Sequence, residues 1–217
     1  MFSNGEIDYI EWCELVSAKL KKYGYSHEDL IQVANQTKIL PDVENVFKKL
    51  KFYGYRIEII SGGITEVIQK SLGDAVKYVD RINANKLLFG VDGKLQQIIA
   101  TEYDYKGKAV CIEKSLRETG TLPQNAIFVG NSANDEWVWR TGVKTICINP
   151  EGANYKNKQL WTEYYLNVTT LETIYPSLVD GGKPFDEIKK PAVIEKKSHF
   201  VQQPEKAQER QAKLFEY

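Results

Sequence analysis

Three groups of residues have the types and the placement to do chemistry on an anion. Ser61-Gly62-Gly63 follows the apolar run Tyr55-Arg-Ile-Glu-Ile-Ile60, Lys108 opens a helical segment, and Gly130-Asn-Ser-Ala-Asn-Asp135 follows the apolar run Ala126-Ile-Phe-Val129. A hydroxyl, backbone N–H groups on a glycine turn and an ammonium can together hold the oxygens of a phosphate. A carboxylate at Asp135 can orient the lysine or tune a metal site. A short apolar run that ends in small polar residues is how a buried strand delivers a loop to the carboxyl edge of a sheet, where open α/β folds bind their ligands. Singly these signals are weak, since Ser-Gly-Gly after a strand serves most tight turns and a lysine at a helix start is ordinarily a solvated charge.

The elements that must position these groups can be read from periodicity. Residues 6–23 repeat apolar side chains at helical spacing through Ile7, Ile10, Cys13, Leu15, Val16 and Leu20, and Gly24 closes that helix. Ser26, with Asp29 at the capping-box position, begins a second helix. Trp12 and the tyrosines of this part read as core. Pro41 starts a third helix with Val43, Val46, Phe47 and Leu50 on one face, and residues 55–60 form a strand before a glycine turn and the helix 64–72. Residues 76–99 read mostly as strand, with a hairpin turning at Asp92-Gly93. A helix from Lys108 to Gly120 precedes the strand ending at Val129. A short helix at 136–140, a strand at 144–149 and a last short strand at 164–168 follow. Alternating strands and helices imply a parallel, doubly wound sheet.

Composition bounds the rest. The chain has 217 residues, with Lys+Arg 29 against Asp+Glu 29, so no broad field draws it to nucleic acid or an anionic membrane. Cys13, Cys111 and Cys147 are odd in number and in no C-x-x-C pair, which fits small buried side chains in a reducing, cytoplasmic setting. From about Asp180 the apolar pattern stops and Lys, Glu, Gln and Pro dominate, as in a disordered tail. The expected division is a helical module at 1–38, an α/β core at 39–179 and a charged tail at 180–217.

Taken together and with their spacing, these groups resemble the haloacid dehalogenase (HAD) superfamily of phosphohydrolases, in its phosphoserine phosphatase-like branch. "YRIEIISGG" is similar to that family's second motif and "VGNSANDEW" to its fourth, with Lys108 about where the third motif's lysine should stand; the hairpin at 84–99 also fits, and the similarity covers roughly residues 1–170. The resemblance implies a three-layer, Rossmann-like core with part of a helical cap at 1–38. It implies that Ser61 binds the transferring phosphoryl group, that Gly62 donates a backbone N–H, and that Lys108 neutralises charge. Asn131 then falls on the position of a magnesium ligand, Asn134 near substrate and Asp135 in support. Magnesium is the implied cofactor, and a small phosphorylated metabolite the implied substrate.

Two departures qualify the resemblance. The family's first motif, Asp-x-Asp-Gly-Thr, supplies nucleophile and general acid/base, and the residues given contain no such motif. Asp92-Gly93 lies in the hairpin turn and Asp8 in a helical pattern, so neither replaces it. Asn131 brings no charge to a cation that prefers carboxylates. The strand bearing the first motif is normally central, between those carrying Ser61 and Asn131, and Val193-Ile194 is too short a stretch to replace it. The expectation is a core split at that point by a missing upstream segment, with negligible phosphatase turnover. Finally, Gln211, Leu214, Phe215 and Tyr217 resemble the peptide that docks on DNA sliding clamps, although the second aromatic of the usual pair is absent.

Overall fold

A computed structural model describes residues 7–150 and 160–179. The tail from 180, with Val193-Ile194 and the peptide Gln211, Leu214, Phe215 and Tyr217, lies outside the described residues. The architecture is α/β. Helices α1 (Tyr9–Lys22), α2 (His27–Gln36) and α3 (Val43–Phe52) lead to strand β1 (Glu58–Ile64) and helix α4 (Thr65–Leu72). A 3-10 helix at Gly73–Tyr78, the hairpin β2 (Arg81–Phe89) and β3 (Leu95–Ile99), and helix α5 (Lys106–Thr119) follow. The second half runs through β4 (Ile127–Gly130), a 3-10 helix at Ala133–Thr141, β5 (Lys144–Ile148), β6 (Glu163–Tyr165) and a closing helical turn with α6 (Tyr175–Leu178). No helix among the described residues is long and apolar enough to cross a membrane.

Local chemistry explains most boundaries. Asp8 caps α1 and exchanges hydrogen bonds with Glu11, which accounts for that carboxylate without any catalytic role. Ser26 and Asp29 form the same box at α2. Gly120, in the left-handed region, ends α5. The hairpin turns at Asp92-Gly93, where the Asp92 side chain accepts from the Lys94 N–H.

Three expectations need correction. Ser61-Gly62-Gly63 is no turn: β1 runs through it to Ile64, with its register against β2 shifting between Ile60 and Ile64. The ladder skips from Ile60↔Asn83 to Ile64↔Asn85, so the three residues bulge out of the pairing while the chain stays extended. Residues 76–78, expected to be strand, belong to the 3-10 helix at Gly73–Tyr78, packed beside α3 with Ala75 in the core. On α1, Cys13 and Ser17 are the buried residues, while Leu15 is 52% and Trp12 39% exposed. Trp12 stacks on Tyr9 at the surface, so it is not a core side chain.

The strands form two three-stranded sheets, β1-β2-β3 and β4-β5-β6, with the break between the strands that carry Ser61 and Asn131, where a split was expected. β1 pairs parallel with β2 and β2 antiparallel with β3, whereas β4, β5 and β6 are all parallel. Among the described residues, the edges of β1 and β4 that face each other share no ladder. The sheets are joined instead by side chains on both faces. Ile57 just before β1, Val129 of β4 and Ile146 of β5 meet α3 and the closing helical turn in one cluster. Ile60 of β1 and Phe128 of β4 meet α5 and the second 3-10 helix in another. Successive strand residues point to opposite faces, so Phe128 and Val129 place these clusters on the two sides of β4 and make three layers. A third cluster, around Leu30, Leu87 and Leu95, seats α2 on the hairpin and on α4.

Candidate phosphate-binding cleft

Between the carboxyl ends of β1 and β4 opens a cleft of about 510 Å³. Ser61, Gly62, Lys108, Asn131, Asn134 and Asp135 all line it, so the structure brings every residue singled out from the three motifs into one place. The sequence separates these residues widely; the crossing of two sheets' ends is what assembles them.

The β4 side is built around one carboxylate. Asp135 is 4% exposed. Its Oδ2 accepts the backbone N–H groups of Asn131 at 2.9 Å and Ser132 at 3.0 Å, and its Oδ1 lies 2.5 Å from Lys108 Nζ. The carboxylate therefore closes the loop after β4 and receives the lysine at once. A Cβ added to Gly130 would collide with the Asp135 carboxyl and the Phe128 ring, so only glycine allows this loop to fold back on itself. Lys108 is 6% exposed and reaches Asp135 from α5. A buried ammonium needs such a partner, which distinguishes Lys108 from a solvated helix-start lysine. Lys106, two residues earlier, instead lies over the Trp137 ring at 4.6 Å.

The β1 side is held from elsewhere. The Gly63 N–H donates to Ser61 Oγ at 3.0 Å, which leaves the hydroxyl proton free to be given to a ligand oxygen. The Gly62 carbonyl accepts from Asn85 Nδ2 at 2.8 Å and from the Tyr9 hydroxyl at 3.3 Å. Asn85, on β2 and 2% exposed, also donates to Tyr9 Oη at 2.7 Å and accepts the Thr101 N–H at 2.7 Å. Its amide thus makes all the bonds it can make. Burial raises the Tyr9 phenol well above its ordinary range, partly opposed by the Asn85 bond, so this hub is neutral at every physiological pH.

Two residues here escape motif reading. Asn85 sits within an ordinary strand pattern, and nothing in its neighbourhood marks it. Asp104 stands four positions before Lys108 in the loop leading to α5; its Oδ1 accepts from Asn134 Nδ2 at 2.7 Å and lies 3.9 Å from Lys108 Nζ. A polar linker sequence gives no sign that this acid turns inward.

The donor set does not suit magnesium. That ion takes near-octahedral oxygen ligands, with one or two free carboxylates at its centre. Both oxygens of Asp135 are already engaged, Asp104 Oδ1 accepts from Asn134 and the Tyr105 N–H, and Asn131 offers only an uncharged carboxamide. Among the described residues no group of three or more His, Cys, Asp or Glu side chains is placed to hold a metal. The cysteines do not contribute: all three are buried free thiols, and burial pushes Cys111 and Cys147 up to about 11.

No family model matches the chain. Its sequence is 26% identical over 132 residues to phosphoserine phosphatase SerB2 of Mycobacterium tuberculosis, covering 60% of this chain and 31% of that protein. It is 28% identical over 134 residues to the phosphoserine phosphatase of Archaeoglobus fulgidus, covering 60% and 37%. The chain thus spans about a third of the length of the curated relatives it matches. Among solved structures, a HAD-family hydrolase from Salmonella enterica serovar Typhi superposes with a TM-score of 0.64 at 19% identity, over 79% of this chain and 56% of that one. A substrate-bound phosphoserine phosphatase gives 0.54 at 23%, over 63% and 62%. At these identities the superpositions show a fold shared with HAD-family hydrolases, and the sequence matches show that 60% of this chain is similar to part of phosphoserine phosphatases.

Proposed function

We propose that this chain carries the phosphate-binding part of a phosphoserine phosphatase-like phosphomonoester hydrolase, and that it is catalytically impaired as given. The observation that carries the reading is the convergence of Ser61, Gly62, Lys108 and Asn134 on one cleft at the carboxyl ends of two strands. The Ser61 hydroxyl and Gly62 N–H are hydrogen-bond donors for phosphoryl oxygens, Lys108 offsets their charge, and Asn134 adds an amide donor. Asp135 holds the ammonium in place.

Among the described residues the cleft presents no free carboxylate to attack phosphorus: Asp104 Oδ1 is taken up by Asn134 and the Tyr105 N–H. The carboxylate of Asp135 is saturated by Lys108 and two backbone N–H groups, which makes it a support and a poor nucleophile. The facing edges of β1 and β4 are the place for a strand that would bring an Asp-x-Asp-Gly-Thr carboxylate to the cleft. With such a strand the two sheets would become one, and with it the magnesium-dependent reaction implied by the resemblance would gain its missing carboxylates. Phosphoserine, the substrate named for the relatives, is the first compound to try among small phosphorylated metabolites.

Phosphate release from phosphoserine or an aryl phosphate tests this directly. The chain alone is expected to release negligible phosphate with magnesium present. Robust turnover that Ser61→Ala or Lys108→Ala abolishes would overturn the impairment and leave the cleft assignment standing. A magnesium titration of the chain alone should show dissociation constants no tighter than about 1 mM, as for a site without free carboxylates.

A further inference from the structure

The groups assigned to phosphate already hold an anion, and it belongs to the chain. Asp104 Oδ1 accepts from Asn134 Nδ2 at 2.7 Å and lies 3.9 Å from Lys108 Nζ. The same carboxyl packs so closely on Gly62 that a Cβ there would collide with it. Gly62, Lys108 and Asn134 are three of the groups that the phosphate-binding reading needs. The Asp104 side chain is 8% exposed, so it is seated in the cleft and does not merely border it.

We propose that the Asp104 carboxylate is an internal stand-in for a phosphoryl group, and that an oxyanion ligand binds only by displacing it. This rests on the phosphate-binding reading above. The charges explain why displacement is required. Lys108 contributes one positive charge against the two carboxylates of Asp104 and Asp135, which leaves the seated cluster at 1 − 2 = −1. A phosphate dianion entering beside it meets a like charge at short range and an ammonium already paired at 2.5 Å. With Asp104 withdrawn, the cluster is neutral and Asn134 regains a free amide donor.

The backbone is arranged to let it leave. Asp104 lies in the loop between β3 and α5, and the next residue, Tyr105, has φ 48°. A tyrosine is rarely found in that region, and its N–H is turned back to the Asp104 carboxyl at 3.0 Å. Seating the carboxylate and straining Tyr105 therefore belong to one conformation, and release of either relaxes the other. Asp104 thereby sets a threshold for the ligand: a weakly binding anion leaves it in place, and a phosphoryl group gripped by Ser61 as well can evict it.

Orthophosphate titrated into the full chain, followed by phosphorus NMR or calorimetry, tests the proposal, with Asp104→Asn, Asp104→Ala and Asp104→Ala/Ser61→Ala alongside and thermal melts to confirm folding. Asparagine keeps the shape and removes the charge, so it reports even if alanine disturbs the loop. Both single variants should bind phosphate at least about tenfold more tightly than the parent, which corresponds to about 1.4 kcal/mol. The double variant should lose that gain. Equal or weaker binding in the Asp104 variants, with the parent binding measurably, would show that Asp104 is no stand-in and leave the phosphate reading intact. Binding by none of the four proteins would sink both.

Discussion

The two sides of the cleft are built in opposite ways. On the β4 side a six-residue stretch does almost everything: Gly130, Asn131, Ser132 and Asp135 fold onto one another, and Lys108 and Asp104 are the visitors. On the β1 side the local sequence does little. The Gly62 carbonyl is fixed by Asn85 from β2 and Tyr9 from α1, and Asn85 is in turn fixed by Thr101. A self-closing loop announces itself as a motif, whereas a loop held by distant partners does not. The difference also assigns two kinds of fragility, one electrostatic and one of buried hydrogen bonding.

Lys108→Ala should do the most damage, because it strands the buried carboxylates of Asp135 and Asp104. A loss of about 3–5 kcal/mol is expected, read as a large drop in melting temperature. If Lys108→Ala melts like the parent, the β4 side does not depend on that ion pair. Asn85→Leu comes next: it removes one of the two donors to the Gly62 carbonyl, the donor to the Tyr9 oxygen and the acceptor of the Thr101 N–H, and should cost roughly 2–3 kcal/mol. Hydrogen exchange should then rise across residues 61–64 and 101 while the 131–135 loop stays protected. Equal loosening of both sides would erase the contrast.

Acid gives a third test, from outside the cleft. Burial raises the Glu163 carboxyl, but bonds from Lys144, Ser177 and Tyr165 outweigh it and hold the group down at about 2. Its folded-state value lies below its unfolded one, so its stabilisation is present above about pH 4.5 and is lost as pH falls toward 2. Acid unfolding should therefore begin in the β4-β5-β6 sheet, and Glu163→Gln should flatten that part of the pH profile. The smallest effect belongs to Tyr9→Phe, about 1 kcal/mol, because Asn85 still holds the Gly62 carbonyl when the hydroxyl is gone. A loss as large as that of Asn85→Leu would make Tyr9, and not Asn85, the hub.

Much of this was legible in advance where residues act on near neighbours. The capping box at Ser26, the Asp92-Gly93 turn and the Gly120 stop each depend on contacts within a few positions, and each stands as read. Ser61-Gly62-Gly63 reads as a turn because nothing local shows that the ladder with β2, some twenty residues on, resumes at Ile64 after a bulge. Asp104 was missed because a lone acid in a linker looks the same whether it faces water or a cleft.

By itself, then, the sequence determined the identity of the elements and the chemistry on offer: a hydroxyl, an ammonium, amides and a carboxylate at the ends of apolar runs. Those follow from periodicity and side-chain type, which are local properties. Only the tertiary structure decided that these groups share one cleft between two sheets without a common ladder, that Asn85 and Tyr9 hold one wall of it, and that Asp104 fills it. Each of those is a contact between residues remote in the chain, set by how helices on two faces clamp the sheets together.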